Sequence, residues 1–150
     1  LLTLADNVTA ASAKLNLTGA AKALLTDNAT AGNATANVAK DSTLALEDNA
    51  SGGNASVNNS GLMTFADQAM AENTVVKNLA GCKVDISAVD SATSIGSLSG
   101  AGNVELGNKT LSLGNLHRDD TISGIISGNA GSLVKPGDGT LTLTGDNTYT

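Results

Sequence analysis

A short motif returns about every 21 residues in the first half of the chain and limits what the chain can fold into. In each copy an apolar residue stands two positions before an aspartate, which is followed by an amide side chain. The copies are residues 4–7 (Leu-Ala-Asp-Asn), 25–28 (Leu-Thr-Asp-Asn), 46–49 (Leu-Glu-Asp-Asn) and 65–68 (Phe-Ala-Asp-Gln), with Ile86 at the next interval. A fixed period of this length is typical of stacked units that bury their apolar faces only against their neighbours. The chain is therefore expected to form an elongated surface and not a globule around a pocket.

A second motif keeps the same spacing. Its copies are residues 32–35 (Gly-Asn-Ala-Thr), 53–56 (Gly-Asn-Ala-Ser) and 72–75 (Glu-Asn-Thr-Val), and the intervals between them equal those between the last three copies of the first motif. Elsewhere apolar residues alternate with polar or small ones, which places each apolar pair on one face of a short strand. These pairs are Leu2/Leu4, Leu15/Leu17, Leu44/Leu46, Met63/Phe65, Val84/Ile86, Val104/Leu106, Leu111/Leu113 and Leu141/Leu143.

Short strands that turn two or three times per repeat predict an all-β fold, a parallel β-helix with about 21 residues per coil over residues 1–100. Seven coils stacked at strand spacing would make a rod roughly 30–35 Å long. After about residue 100 the phase of the repeat is lost, so we expect residues 101–150 to continue the β-helix with shorter strands and tighter turns, within one domain. A barrel or sandwich also uses many short strands, but neither explains why Asp-Asn returns at a fixed offset.

Two segments also resemble helices. Residues 19–25 are rich in alanine, and residues 62–79 carry apolar residues at a helical spacing. We favour strands for both, because residues 62–79 align with the two preceding copies and because Thr74-Val75-Val76 prefers β structure.

The composition excludes several classes of function. The formal net charge is −6 and lysine and arginine do not cluster, so no nucleic-acid-binding surface is expected. No apolar run is long enough to span a bilayer. Cys82 is the only cysteine, which rules out an internal disulfide. Phe65 and Tyr149 are the only aromatic residues, so small aliphatic side chains must fill a narrow, repeated interior.

The last twenty residues carry the most specific motif. Residues 131–150 read Gly-Ser-Leu-Val-Lys-Pro-Gly-Asp-Gly-Thr-Leu-Thr-Leu-Thr-Gly-Asp-Asn-Thr-Tyr-Thr. This segment resembles the passenger-associated repeat of bacterial autotransporters, whose pattern is approximately G-S-L-x-K-x-G-x-G-T-L-x-L-x-G-x-N-T-Y-x-G. Residues 100–114 followed by 121–128 resemble the lead-in to that repeat, and residues 31–35 (Ala-Gly-Asn-Ala-Thr) resemble another element of the same proteins. Pro136 departs from the pattern, which usually has a small polar residue there, and we expect it to lie in a turn.

The resemblance implies a right-handed parallel β-helix, part of a passenger that a C-terminal β-barrel outside this chain exports through the outer membrane of a Gram-negative bacterium. It implies a non-catalytic structural or adhesive stem, secreted or displayed at the cell surface and without a cofactor. Expected partners are the cell surface, a host or further copies of the chain, and no nucleic acid. The alternative is a β-helix carbohydrate-active enzyme or carbohydrate-binding rod. A cleft lined by aligned acidic residues with a basic partner would indicate the enzyme.

The sequence offers few candidates for catalysis. His117 is the only histidine and is followed by Arg118, Asp119 and Asp120. A catalytic base or metal ligand is one interpretation, but no second histidine or nucleophile completes a triad, so we favour a polar loop. We assign no catalytic, cofactor-binding or metal-binding residue, and we expect Cys82 to be a small core or turn residue.

The repeated aspartates are the other candidate. If the period is structural, they stack over one another, and like charges that face each other across a ladder are destabilising. They must then splay into water or hold a cation such as Ca²⁺. We favour splayed, solvated carboxylates, because the nonapeptide motif of Ca²⁺-binding β-rolls is absent. The column consists of Asp6, Asp27, Asp48 and Asp67.

The amides that follow these aspartates are expected to form a ladder, in which stacked side chains hydrogen-bond along the rod. They are Asn7, Asn28, Asn49 and Gln68.

Both ends of the sequence fall inside the pattern, as though cut from a longer chain. Neither Leu1 nor Thr150 lies next to a helical or charged cap. An exposed strand edge is a template for pairing with another chain. We therefore expect the 150-residue chain on its own to stack end to end or to pair with another chain.

Overall fold

The computed structural model describes all 150 residues and shows an all-β solenoid of about seven coils, with about 21 residues per coil. The fold contains no helix, and so no long apolar helix of the kind that crosses a membrane. The strands are β1 (Leu2–Leu4), β2 (Lys14–Leu17), β3 (Lys22–Leu25), β4 (Thr35–Val38), β5 (Thr43–Leu46), β6 (Ser56–Asn59), β7 (Leu62–Asp67), β8 (Ala71–Asn78), β9 (Lys83–Val89), β10 (Ala92–Ser99), β11 (Asn103–Glu105), β12 (Thr110–Leu113), β13 (Asp120–Ile122), β14 (Ile126–Ser127), β15 (Ser132–Val134) and β16 (Leu141–Leu143).

The strands form three parallel sheets along the stack. Sheet 1 contains β1, β3, β5, β7, β9, β11 and β14, in that order. Sheet 2 contains β2, β4, β6, β8, β10, β12 and β15, and sheet 3 pairs β13 with β16. In the first four coils, single parallel bridges between sheets 1 and 2 add a narrow fourth strip, formed by Thr9, Thr30, Ser51 and Met70.

The strand register confirms the repeat predicted from the sequence. Leu4 pairs with Leu25, Leu25 with Leu46, and Leu46 with Phe65. All four side chains are buried, and Ile86 is buried in the next coil beside a bulge in the pairing of β7 with β9. The inward orientation of these residues in adjacent coils follows from the period-two alternation of each strand.

The interior is one apolar cluster of 29 buried residues that extends from Leu4 to Ile126. Most of its members are Ala, Val, Leu and Ile, with Phe65 as the only aromatic ring among the buried residues. Each fully buried Leu, Ile or Val contributes roughly 1.5–3 kcal/mol. Stability therefore accumulates coil by coil and does not depend on one central core.

The two helix-like segments are strands, as predicted. Lys22–Leu25 is β3, and residues 62–79 contain β7 and β8. Their pairing with both neighbouring coils outweighs any local preference for helix, because each coil hydrogen-bonds to the next along its length.

The expectation that the phase of the repeat is lost after residue 100 is wrong for two of the three sheets. In sheet 1, Val84 pairs with Val104 and Val104 with Ile126, and both intervals stay within one residue of the earlier period. Sheet 3 keeps that period as well, since Asp120 pairs with Leu141. In sheet 2 the step across residue 100, from Ala92 to its partner Thr110, is shorter, but the next step, from Thr110 to Ser132, is again within one residue of the earlier period. Corner lengths therefore vary within a coil while the stack continues.

Candidate functional site

The repeated aspartates form a corner of the solenoid. Asp6, Asp27, Asp48 and Asp67 all have φ of 57°, in the left-handed region that Asp and Asn tolerate better than other residues with a side chain. The backbone N–H of each donates to the carboxylate of the next coil: Asp6 to Asp27 at 3.1 Å, Asp27 to Asp48 at 3.2 Å, and Asp48 to Asp67 at 3.2 Å. The carboxylates therefore bind main-chain donors of the preceding coil.

This geometry corrects the expectation of splayed, solvated carboxylates in one respect: they are exposed to solvent, but they stack from coil to coil and do not splay. The aspartates are exposed, but one oxygen of each of the last three is held by a backbone N–H, which offsets the repulsion between like charges. Hydrogen bonds from the Thr26 hydroxyl and the Asp27 N–H hold the pKa of the Asp48 carboxyl below its usual range. No three His, Cys, Asp or Glu side chains are grouped so that they could share a metal ion.

The predicted ladder of Asn7, Asn28, Asn49 and Gln68 is wrong in its position. These side chains lie at exposed turn tips after the left-handed corner and do not hydrogen-bond to one another. The backbone N–H groups of the last three donate to the aspartate carbonyl one coil earlier, as in Asn28 to Asp6 at 2.9 Å. Amide ladders form instead on and beside sheet 2. They are Asn37 to Asn16 at 2.8 Å, Asn58 to Asn37 at 3.0 Å, and Asn54 to Asn33 at 3.1 Å.

A further pair of amides is buried at the end of sheet 2. Asn59 donates to the Asn78 side chain at 2.9 Å and to the Lys83 carbonyl at 3.0 Å. Asn78 donates to the Asn103 carbonyl at 2.9 Å. These bonds join three coils at the corner leading back to sheet 1, where buried backbone carbonyls need donors. Asn59 pairs with Val38 of the preceding coil and with Asn78 of the following coil, so the two amides continue the row of positions in sheet 2 that Val38 occupies.

One grouping on sheet 1 has the composition expected of a glycan-cleaving site. Asp85 and Glu105 pair directly on adjacent strands, with Lys83 two positions before Asp85. Partial burial raises the pKa of the Asp85 carboxyl, but hydrogen bonds from Lys83 at 2.7 Å and from Ser87 outweigh it and leave the pKa below the usual range. Glu105 accepts from Ser127 at 2.8 Å and from the N–H of Gly107 at 3.1 Å. Both carboxylates already have protein partners and lie on an open sheet face.

His117 lies in an exposed polar loop, where the sequence places it. Its ring Nδ1 accepts the N–H of Asp138 at 3.2 Å, from the loop stacked on it one coil later. Asp119 accepts the N–H of Thr140 at 2.7 Å between the same two loops. Asp120 points inward, is buried, and accepts the Ser97 hydroxyl at 2.7 Å. The loops are thus held together by cross-coil bonds and do not assemble a triad.

A groove lies at the corner between sheets 2 and 1, and no motif in the sequence predicts it. We call this surface the corner groove; its lining residues are Lys40, Asp41, Ser42, Thr43, Ser60, Gly61, Leu62 and Gly81. Cys82 is buried in an adjoining turn, and burial raises the pKa of its thiol. The only trace of the groove in the sequence is the interval between Leu46 and Phe65, which is two residues shorter than the intervals between the earlier copies.

No protein-family model, curated protein sequence or solved structure matches this chain.

Proposed function

We propose that the chain is a non-catalytic structural or adhesive stem of a bacterial autotransporter passenger, secreted or displayed at the surface of a Gram-negative cell. The observation that carries the proposal is the continuous apolar interior that links the coils from Leu4 to Ile126. Every coil also hydrogen-bonds to the next along parallel sheets. A stack built in this way holds distant points at a constant separation, which is the mechanical property that a stem requires.

The segment that resembles the passenger-associated repeat is an integral part of the stack, which supports a stem role for it. Ser132–Val134 and Leu141–Leu143 pair with strands of the preceding coil, and Pro136 lies in the loop between them. Leu133, Leu141, Leu143 and Tyr149 pack against the apolar cluster.

The outer surface supports contact with extended partners. The amide ladders, over the first three coils, and the aspartate corner, over the first four, repeat the same side-chain type once per coil, at about 4.8 Å along the axis. Evenly spaced polar groups of this kind suit many weak contacts made at once, with a cell surface or with further copies of the chain.

Export is tested in the bacterium that produces the protein. Antibodies raised against the 150-residue chain should label intact cells or the culture medium, and protease added to intact cells should remove the cell-bound label. An antibody against a cytoplasmic protein serves as the control for cell integrity. Label that appears only after permeabilisation would contradict the proposal.

The β-helix carbohydrate-active enzyme is the second candidate, because Asp85, Glu105 and Lys83 place two carboxylates and a cation on one face of sheet 1. Release of reducing ends from acidic or neutral polysaccharides by the purified chain would favour the enzyme. The stem proposal expects no release above that of a heat-denatured sample.

A further inference from the structure

The corner groove arises from a difference in turn length between neighbouring coils. The turns at residues 39–42 and 79–82 have four residues each, whereas the coil between them passes the same corner with Ser60 and Gly61 alone. The longer turns form the walls and the short turn forms the floor. The groove is an open depression of about 310 Å³, close to the lower end of the range of small-molecule sites, roughly 300–1,000 Å³.

The floor of the groove is fixed by close backbone packing. A side chain at residue 61 would collide with the carbonyl oxygens of Ala39 and Ser42 and would approach the Val38 methyl group to 3.2 Å. The short turn is hydrogen-bonded to both neighbouring coils. The Leu62 N–H donates to the backbone carbonyl of Ser42 at 3.0 Å, and the Lys83 N–H donates to the backbone carbonyl of Gly61 at 3.2 Å. The groove is therefore preformed, so a ligand does not have to order the floor.

The lining of the groove is polar and contains both donors and acceptors. Lys40 and Asp41 lie on one wall, and neither takes part in any of the three ion pairs of the chain. Thr43 and Ser60 add hydroxyl groups, and Leu62 is the one apolar residue of the lining. Ser42 also lines the groove, but its hydroxyl is buried, has no hydrogen-bond partner and is not offered to a ligand.

The polar surface extends beyond the groove. A neighbouring depression of about 350 Å³ shares Lys40 and Ser60 and is lined by the Asn37 and Asn58 amides of the ladder on sheet 2. A second depression, of about 500 Å³, shares the same two residues on the side of Cys82. Lys40 and Ser60 are thus common to all three depressions.

We propose that the corner groove binds a neutral monosaccharide unit of a glycan through its hydroxyl groups. A sugar hydroxyl both donates and accepts, which matches the carboxylate of Asp41, the ammonium of Lys40 and the hydroxyls of Thr43 and Ser60. An anionic ligand is disfavoured by Asp41 and by the net charge of −6. An apolar ligand is disfavoured by the polar lining.

The affinity of such a site is low. The only aromatic residues are Phe65, which is buried in the core, and Tyr149, which is in the last coil, so no ring lines the groove. Without a stacking platform, dissociation constants on the order of millimolar are expected. The inference does not depend on the stem role, because the groove exists in this chain wherever the protein is located.

Saturation-transfer difference NMR tests the inference, since it observes the ligand and works on stacked chains as well as monomers. The probes are the methyl glycosides of glucose, galactose and mannose, with glycerol as a polyol control. At least one glycoside should give a saturable signal, and glycerol should not. Lys40→Met and Asp41→Asn should each weaken binding roughly three- to tenfold, the loss typical of one hydrogen bond.

The variants are chosen so that the fold is kept. Asn tolerates the φ of 65° at residue 41, and the side chain of Lys40 is exposed. Lys14→Met, on the exposed face of β2, is the matched control and should leave the affinity unchanged. No saturable signal with any glycoside, or an affinity that neither groove variant changes, overturns the inference.

Discussion

At the residue scale, aspartate in the left-handed region has two functions at each repeated corner. Its backbone conformation turns the chain out of sheet 1, and its carboxylate accepts the N–H of the corner one coil earlier. The next corner in each of the first three coils has the same conformation, at Ala11 in the first coil, Gly32 in the second and Gly53 in the third. There a hydroxyl two residues earlier accepts the N–H, as Thr30 does for Gly32 at 3.1 Å. The first motif, and the two copies of the second that begin with Gly, recur because these corners need this conformation and an acceptor; in the third copy Glu72 lies within β8 instead.

The Asp48 carboxylate should make stability depend on pH. Its pKa in the folded chain is lowered, so its contribution is complete above the unfolded-state value of about 3.9 and is lost as the pH falls through the folded-state value. Asp48→Asn keeps the corner but removes the charge. The melting temperature of the variant should therefore lie below that of the parent chain at neutral pH, and the difference should shrink in acid.

Thermal melts followed by circular dichroism across the acidic range provide the measurement. Asp146→Asn, at an exposed position without a side-chain hydrogen bond, is the control and should show no such convergence. A difference for Asp48→Asn that is constant across the pH range would contradict the assigned role.

Leu46→Asp should be severely destabilising. Leu46 is 1% exposed between Leu25 and Phe65, so the new carboxylate would be buried without a partner. The expected loss is at least about 4 kcal/mol, measured by urea unfolding. Asn49→Asp, at an exposed turn in the same coil, should change stability little. A small effect of Leu46→Asp would mean that the interior is open to water.

Calcium should not stabilise the chain. The carboxylates of the aspartate corner bind backbone N–H groups, so we expect the same melting temperature with Ca²⁺ and with a chelator. A bound ion would instead raise the melting temperature with its concentration by mass action. A rise that Asp27→Asn abolishes would show that the corner is a cation site.

At the element scale, corner length varies while strand register is kept. The shortened interval between Leu46 and Phe65 arises at the corner between sheets 2 and 1, where two residues replace four. The strands on either side remain paired, because each hydrogen-bonds to the coil before and the coil after. Apart from single bulges in the pairing of β7 with β9 and of β8 with β10, the variation lies in the corners, where the groove and the His117 loop arise.

Gly61→Ala tests whether the short corner depends on glycine. The added methyl group would collide with the carbonyl oxygens of Ala39 and Ser42, so the free energy of unfolding should fall by about 1–3 kcal/mol. Gly19→Asn is the control, because a side chain there meets open space and Asn tolerates the φ of 63°. Equal stability of the two variants in urea titrations would refute the packing described for the floor.

At the scale of the whole molecule, stability is shared along the axis. The terminal coils have a neighbour on one side only, so Leu2 is 42% exposed, whereas its partner Ala23 is fully buried. At the other end, Leu141 and Leu143 of β16 are only partly buried. A further coil stacked on either end would bury these residues and pair the free strand edges.

The 150-residue chain alone should therefore associate. Light scattering over a concentration series should show a mass that rises with concentration, because stacking buries apolar surface and completes hydrogen bonds. Leu2→Lys introduces a charge into the exposed end and should lower the association, whereas Val8→Lys, on an exposed corner, should lower it less. A constant monomer mass at every concentration would show that the ends are protected.

The solenoid, its period over residues 1–100 and the leucines of the aspartate motif as interior residues could be predicted from the amino-acid pattern alone. Alternation placed Leu4, Leu25 and Leu46 inward, and the interval between copies of the aspartate motif set the coil length. These features are readable because side chains alternate locally along a strand and because a stacked fold repeats the same environment in each coil.

Which polar side chains meet, in contrast, is set only in the folded stack. Asn16, Asn37 and Asn58 form a ladder, whereas Asn7 and Asn28 keep the same period and do not. A place in a turn does not by itself prevent a ladder, because Asn33 and Asn54 lie in turns and their amides hydrogen-bond to each other. The corner groove likewise needs three neighbouring turns in space, and a missing pair of residues in one of them is visible in the sequence only as a shortened interval. Stacking distance and side-chain direction, which create contacts between coils, are properties of the assembled coils and not of any single repeat.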